Sequence, residues 1–163
     1  GTRTGDIDPA VVFHLQRVAG MSVDEVDTLF NKKSGMKGMT GESDMRSVWD
    51  MIHNDDDPEA QQRARTAMDV YINRLLKYVG SYTAELGGLD VITFTAGIGE
   101  NDAAVRRELA EALAPFGVKI DVEANQVRSG EPRVVSTPDS AVTIYVFPTN
   151  EELAIARQAL TFA

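Results

Sequence analysis

The chain has 163 residues, 43% hydrophobic and 25% charged, with a formal net charge of −9 and no cysteine. That is ordinary for a globular protein and long enough for one domain with a real core, and it excludes disulfides, thiol nucleophiles and thiolate metal sites. The acidic balance argues against nucleic acid or an anionic membrane as partner but not against a nucleotide, whose phosphates need only a few local donors.

The chain opens on Gly1-Thr2-Arg3 with no initiator methionine, so either its N-terminus is processed or it is a piece of something longer. No signal peptide follows and no apolar run reaches bilayer length, which together with the missing cysteines suits a cytoplasmic location. Asp8 as cap and Pro9 as first helical residue start a helix through Val11 to Leu15 that should end near Gly20. Ser22 and Glu25 form a capping box, with Met21 stapled onto Val26, for a second helix carrying Val26, Leu29 and Phe30. It frays at Asn31 to Lys33. Gly35, Gly38 and Gly41 make Ser34 to Glu42 read as a mobile loop, and a short helix follows from about Ser43 to Ile52. Asp55, Asp56, Asp57 and Glu59 look like a metal cluster at first sight. A cap at Asp57, with Pro58 at the first helical position, accounts for them better.

From Pro58 to about Leu86 runs the longest helix, with Ala64, Met68, Tyr71, Leu75, Val79, Tyr82 and Leu86 as a buried stripe. Gly87-Gly88 ends it. Val91 to Phe94 then reads as a buried strand, followed by a turn with Gly97 and Gly99 and a helix capped by Asn101 and starting at Asp102. Strand, glycine turn and helix N-terminus make an anion site in principle, though the pattern is shorter than a dinucleotide fingerprint and lacks a P-loop lysine. Ala103 to Ala114 is a further helix closed by Gly117, and Asp121 to Pro132 is polar and irregular. Val134-Val135 is a short strand and Val142 to Phe147 a clear one, stopped by Pro148. Thr149 and Glu152 make a capping box for a last helix through Leu153, Ile155 and Leu160. The fold class is α/β, with at least two strands of one sheet, parallel in direction, and too few to complete it.

Four constellations could carry chemistry. The turn from Gly97 to Asn101 could hold an anion or be a plain strand–helix connection. Asp44-Met45-Arg46 sets an acid and a base at a helix start, or simply a capping acid and a solvated arginine. Arg3 could be an anion ligand or the partner of Asp6 and Asp8. Glu152 serves the capping box, which leaves the Glu151 carboxylate available for a hard cation such as Mg²⁺. His14 and His53 have no serine or cysteine motif beside them, so a hydrolase triad is unsupported.

The order of motifs joins these constellations. Gly-Thr-Arg-Thr-Gly-Asp-Ile-Asp-Pro from Gly1, Ser-Asp-Met-Arg from Ser43, Phe-Thr-Ala-Gly-Ile-Gly-Glu-Asn from Phe94 and Pro-Thr-Asn-Glu-Glu-Leu from Pro148 occur in series. Together they closely resemble the acetate kinase family over essentially the whole chain. The resemblance implies part of a ribonuclease-H-like C-terminal domain of the actin-like ATPase fold, with added helices. Residues 1–149 would be that domain segment without its first strands, and residues 150–163 a terminal helix that packs on an N-terminal domain absent from this sequence.

It further implies ATP + acetate ⇌ ADP + acetyl phosphate, with Mg²⁺ as cofactor, homodimers through the C-terminal domain, and neither nucleic acid nor membrane as partner. Arg3 matches the arginine that stabilises charge on the transferring phosphoryl group. Asp44, Met45 and Arg46, together with Gly97, Ile98, Gly99, Glu100 and Asn101, match the nucleotide contacts, and Glu151 matches the Mg²⁺-associated glutamate. The family's N-terminal phosphate-binding segment, acetate pocket, catalytic histidine and catalytic aspartate have no counterpart here, and His14 and His53 fall outside its motifs. The segment alone is therefore expected to be inactive. Propionate or another short-chain acyl group is the alternative substrate, and a non-catalytic nucleotide-binding or dimerisation module the alternative role.

Overall fold

A computed structural model describes residues 1–162, which divide into two compact units, Gly1–Tyr71 and a second from Ile72 onward. The first unit holds α1 (Ala10–Arg17), α2 (Val23–Lys32), α3 (Gly35–Thr40), α4 (Met45–Asn54) and the first half of α5 (Pro58–Leu86). Local signals explain most of their ends. The Asp8 carboxylate accepts the Ala10 N–H at 2.8 Å. Ser22 and Glu25 close the capping box reciprocally, Glu25 N–H to Ser22 Oγ at 3.3 Å and Ser22 N–H to Glu25 Oε2 at 2.7 Å. Asp57 caps α5 through the Glu59 N–H at 2.9 Å, with Pro58 at the first helical position as anticipated.

Ser34 to Glu42 is not a loop. Gly35, at φ +61°, lets the chain turn into α3, and Gly41, at φ +86°, ends it, so two of the three glycines mark helix boundaries rather than flexibility. Met36 from this helix is buried, with Val26, Met45, Val48, Ala60, Ala64, Ala67 and Met68.

The second unit contains the rest of α5, then β1 (Val91–Phe94), α6 (Ala96–Asn101), α7 (Ala103–Ala112), a 3₁₀ turn (Ala114–Phe116), α8 (Val122–Gln126), β2 (Arg133–Val134), β3 (Thr143–Val146), α9 (Glu151–Ala159) and a closing 3₁₀ turn (Leu160–Phe162). The strands lie in the order β1-β3-β2. β1 and β3 are parallel, Val91 opposite Thr143 and Phe94 opposite Val146, and β2 runs antiparallel to β3. Leu109, Ala110, Leu113, Val118, Val135, Val142, Ile144 and Val146 form the buried cluster, against which Leu75, Leu76 and Val79 of α5 pack.

Several expectations change here. The α5 stripe stops short, because the cluster uses Leu75, Leu76 and Val79 while Tyr82 and Leu86 lie 60% and 77% exposed. β1 is only half-buried: it is an edge strand, with no strand on its outer side among the described residues. The stretch after Asp121 is not wholly irregular, since the Asp121 carboxylate accepts the N–H groups of Glu123 and Ala124, each at 3.0 Å, and starts α8. Asn150, not Thr149, caps α9, accepting the Leu153 N–H at 2.9 Å, so Glu152 has no capping-box role. No residue of α9 is buried.

Ile144 is fully buried in the central strand. Ile144→Ala is expected to cost about 2–5 kcal/mol through lost transfer energy and the cavity left behind. Urea unfolding checks this, and a loss below about 1 kcal/mol would show that the cluster is not the core of this unit.

Candidate nucleotide and metal site

The chain leaves β1 at Phe94 and turns at Ala96, whose φ of +59° is left-handed. A residue with a Cβ pays on the order of 1 kcal/mol for that conformation, so the surroundings must hold it there. Gly97 then faces open space: a Cβ added to it would meet nothing within 4 Å. Gly99 differs, since a Cβ there would sit 3.2 Å from the Phe94 carbonyl carbon. One glycine leaves room for a ligand and the other lets the short helix α6 pack against β1.

The turn does not end in the cap read from the sequence. Asn101 donates its side-chain amide back to the Gly97 carbonyl at 2.9 Å. Asp102 caps α7 instead, accepting the Val105 N–H at 2.9 Å. A carboxylate therefore already occupies the N-terminus of α7, and that end is not a free anion site. What faces outward is the turn itself.

Arg106 fixes that turn from behind. Its side chain is buried, and the guanidinium donates to Gly99 O at 2.8 Å, Glu100 O at 3.0 Å, Asn125 Oδ1 at 2.7 Å and Asn125 O at 2.7 Å. Asn125, also buried, donates to Ala103 O at 2.8 Å. Burial lowers the Arg106 pKa, Arg133 lowers it further, and Asp102 opposes both. Neither Arg106 nor Asn125 was singled out from sequence. The signal was present: Arg106 falls on the helical face of Leu109, Ala110 and Leu113, an i, i+3, i+4, i+7 series in which a charge implies a buried function.

Glu100 ties the turn to the segment that leaves β3 at the same end of the sheet. One carboxylate oxygen accepts the Thr149 backbone N–H at 2.8 Å and the Thr149 hydroxyl at 3.0 Å. The Thr149 N–H, then its hydroxyl and a backbone hydrogen bond from Ala96, hold the carboxyl below the usual glutamate range. Because the folded pKa is lowered, this contribution is present above the ordinary glutamate pKa and lost as pH falls through the lowered value. Ala96, Gly97 and Glu100 on one side and Thr149 to Glu152 on the other border an open cleft of about 470 Å³. Gly97, Glu100 and Glu151 thus share one cleft, with Ile98 and Asn101 exposed beside them.

The side-chain oxygens bordering the cleft include the carboxylates of Glu100, Glu151 and Glu152, of the hard type that Mg²⁺ takes. No group of three or more His, Asp or Glu side chains able to hold a metal occurs among the described residues.

The first unit carries the other candidates. Thr4 N–H donates to Phe30 O at 3.0 Å, Ser34 N–H to Thr2 O at 2.9 Å and Lys37 N–H to Gly1 O at 2.9 Å, which straps the first residues across the ends of α2 and α3. A Cβ on Gly1 would lie 2.6 Å from Ser43 O, so the strap carrying Arg3 runs directly beside the start of α4. The Arg3 guanidinium is exposed and has no ion pair among the described residues. Asp44 caps α4 through the Arg46 N–H at 2.9 Å and pairs with the Arg46 guanidinium. That side-chain bond, then the backbone bond, pulls the Asp44 pKa down to about 2. The capping reading of Asp44 holds, and Arg46 remains 91% exposed. Met45 is buried in the unit's interior.

The acetokinase family model matches residues 1–157. The chain belongs to the acetokinase family. It is 51% identical over all 163 residues to the acetate kinase of Corynebacterium aurimucosum, covering 39% of that protein. Its fold superposes on Porphyromonas gingivalis acetate kinase with a TM-score of 0.84 at 40% identity, covering 98% of this chain and 39% of that one. A propionate kinase from Francisella tularensis superposes with a TM-score of 0.83 at 36% identity, over 95% of this chain and 38% of that one. The chain thus spans about two-fifths of the length of these relatives and has the α/β fold of the corresponding part of an acetokinase.

Two substitutions test how the site is held. Gly35→Ala would put a Cβ 2.7 Å from Arg3 O in a left-handed position, and is expected to destabilise by more than the roughly 1 kcal/mol of left-handed strain alone. Arg106→Ala strands the carbonyls of Gly99, Glu100 and Asn125, and about 3 kcal/mol should be lost. Denaturant titration of both variants checks the ordering, and a neutral Arg106→Ala would contradict the network.

Proposed function

We propose that this chain supplies the nucleotide-facing wall of a carboxylate kinase, which in its full-length form runs ATP + acetate ⇌ ADP + acetyl phosphate. One observation supports the reading: Gly97, Glu100 and Glu151 line one cleft, and Glu100 is hydrogen-bonded across to Thr149. Phosphoryl transfer asks a protein mainly for positioning and for neutralising charge on the γ-phosphoryl oxygens. Residues Gly97 to Asn101 would hold the nucleotide, with Gly97 offering backbone where no side chain intrudes. Asp44, Met45 and Arg46 would contact it too. Arg46 would do so with its exposed guanidinium, and Met45 through its backbone, its side chain being buried.

In the reaction an acetate oxygen bonds to the γ-phosphorus while the bond to the β–γ bridging oxygen breaks, and ADP leaves with that electron pair. Arg3 would lie against the charge on the transferring group, a task that suits a planar cation that stays protonated. Glu151 would hold Mg²⁺ directly or through water, and the ion when bound supplies further positive charge beside the phosphates. The acetate pocket and the catalytic histidine and aspartate belong to the remainder of a full-length enzyme.

Propionate is the second reading, favoured by the likeness to the Francisella tularensis propionate kinase. Rates with acetate, propionate and butyrate on the full-length enzyme separate the two. α9 and the closing 3₁₀ turn would pack on the N-terminal domain, which would account for Ile155, Leu160 and Phe162 lying 67%, 74% and 86% exposed. The full-length enzyme would be a homodimer, which light scattering checks.

Arg3→Ala in the full-length enzyme is expected to lower kcat by about 10³-fold, the scale of a phosphoryl-transfer arginine, with a much smaller change in KM for ATP. A kcat within threefold of the parent would remove Arg3 from the chemistry. The 163-residue chain alone is expected to form no ADP in response to acetate, and acetate-dependent ADP formation by it would refute that.

A further inference from the structure

The position of Glu151 has few determinants within its own unit. The β1–β3 ladder reaches one step past the strands, Phe147 N–H donating to Phe94 O at 2.8 Å. Beyond it Pro148 turns the chain, and α9 begins with no buried residue to anchor it. The tie between Phe147 and Glu151 is Thr149, which gives both its backbone N–H and its hydroxyl to one oxygen of Glu100, 49 positions earlier in the chain. Glu100 is in turn held by Arg106, which grips its carbonyl at 3.0 Å, and α9 is capped at the next residue, Asn150.

We propose that Thr149 is a positioning residue for the metal carboxylate: its hydroxyl, bonded to Glu100, couples the nucleotide turn to Glu151. The proposal rests on the reading of Glu151 as the Mg²⁺ residue. A hydrogen bond to an ionised carboxylate is stronger than a neutral one, here at 3.0 Å, and outer partners of a metal ligand commonly orient it. The two halves of the cleft then move together, so that a shift of the turn on nucleotide binding is passed to the carboxylate through the Glu100–Thr149 contact, to which the hydroxyl adds a second bond beside the backbone N–H. Thr149 touches neither substrate nor ion in this scheme.

The test uses the full-length enzyme containing this sequence, with Mn²⁺ as a paramagnetic probe titrated into the enzyme–ADP complex. Thr149→Val keeps the shape and the backbone N–H but loses the hydroxyl, and is expected to weaken Mn²⁺ binding by about tenfold. Thr149→Ser, which keeps the hydroxyl, should stay within about twofold of the parent. The loss in turnover at low Mg²⁺ should recover at high Mg²⁺. In a Glu151→Gln background Thr149→Val should add nothing, because its effect runs through that carboxylate. The proposal is overturned if Thr149→Val leaves Mn²⁺ affinity unchanged, or if it weakens metal-free ADP binding as much as Mn²⁺ binding and does so equally in the Glu151→Gln background. If Glu151→Gln alone leaves Mn²⁺ affinity unaltered, the metal reading of Glu151 has failed and the proposal falls with it, an outcome distinct from failure of the clamp.

Discussion

A guanidinium withdrawn from water must be surrounded by acceptors or it destabilises the fold. Arg106 is surrounded by four oxygens, two of them the Gly99 and Glu100 carbonyls of the glycine turn and two belonging to Asn125. That arrangement gives a six-residue helix with a left-handed alanine at its start a fixed place against the sheet. It also links segments distant in sequence: α6, α7 and α8 meet at one side chain. The cleft in front depends on this, since Glu100 can reach Thr149 only if its own backbone is held.

The site is a chain of such attachments. Arg106 holds the backbone of Glu100, the carboxylate of Glu100 holds Thr149, and Thr149 stands two residues before Glu151. The first two links are hydrogen bonds to or from a charged group, which are stronger than neutral ones. The strap bearing Arg3 follows a similar logic in the other unit, where backbone hydrogen bonds and a crowded glycine hold an exposed arginine in place.

Much of this was legible in the sequence, and the misses have a common cause. Ser22 with Glu25 was unambiguous because the reciprocal pair fixes the cap, and among three successive aspartates Pro58 at the first helical position selected Asp57. Where two adjacent residues could cap, the choice depended on long-range partners that local pattern does not contain. At Asn101-Asp102 and at Thr149-Asn150 the second residue caps. The first is taken elsewhere, Asn101 by the Gly97 carbonyl and Thr149 by Glu100. Displacing Thr149 from the cap also removed the argument that had assigned Glu152 a structural task. Glycine misled for a different reason: Gly35 and Gly41 delimit α3 through their left-handed φ, yet in sequence they read as looseness. The four family motifs were legible because they are contiguous, whereas the network around Arg106 is assembled by the fold.

The open side of β1 has a consequence. Val91, Ile92, Thr93 and Phe94 line a strand edge that has no partner strand among the described residues, with neither a charge nor a proline in it to discourage pairing. Natural sheets blunt such edges, because a bare one templates intermolecular strand addition. Covering those four residues is therefore a task that falls to whatever packs against this edge.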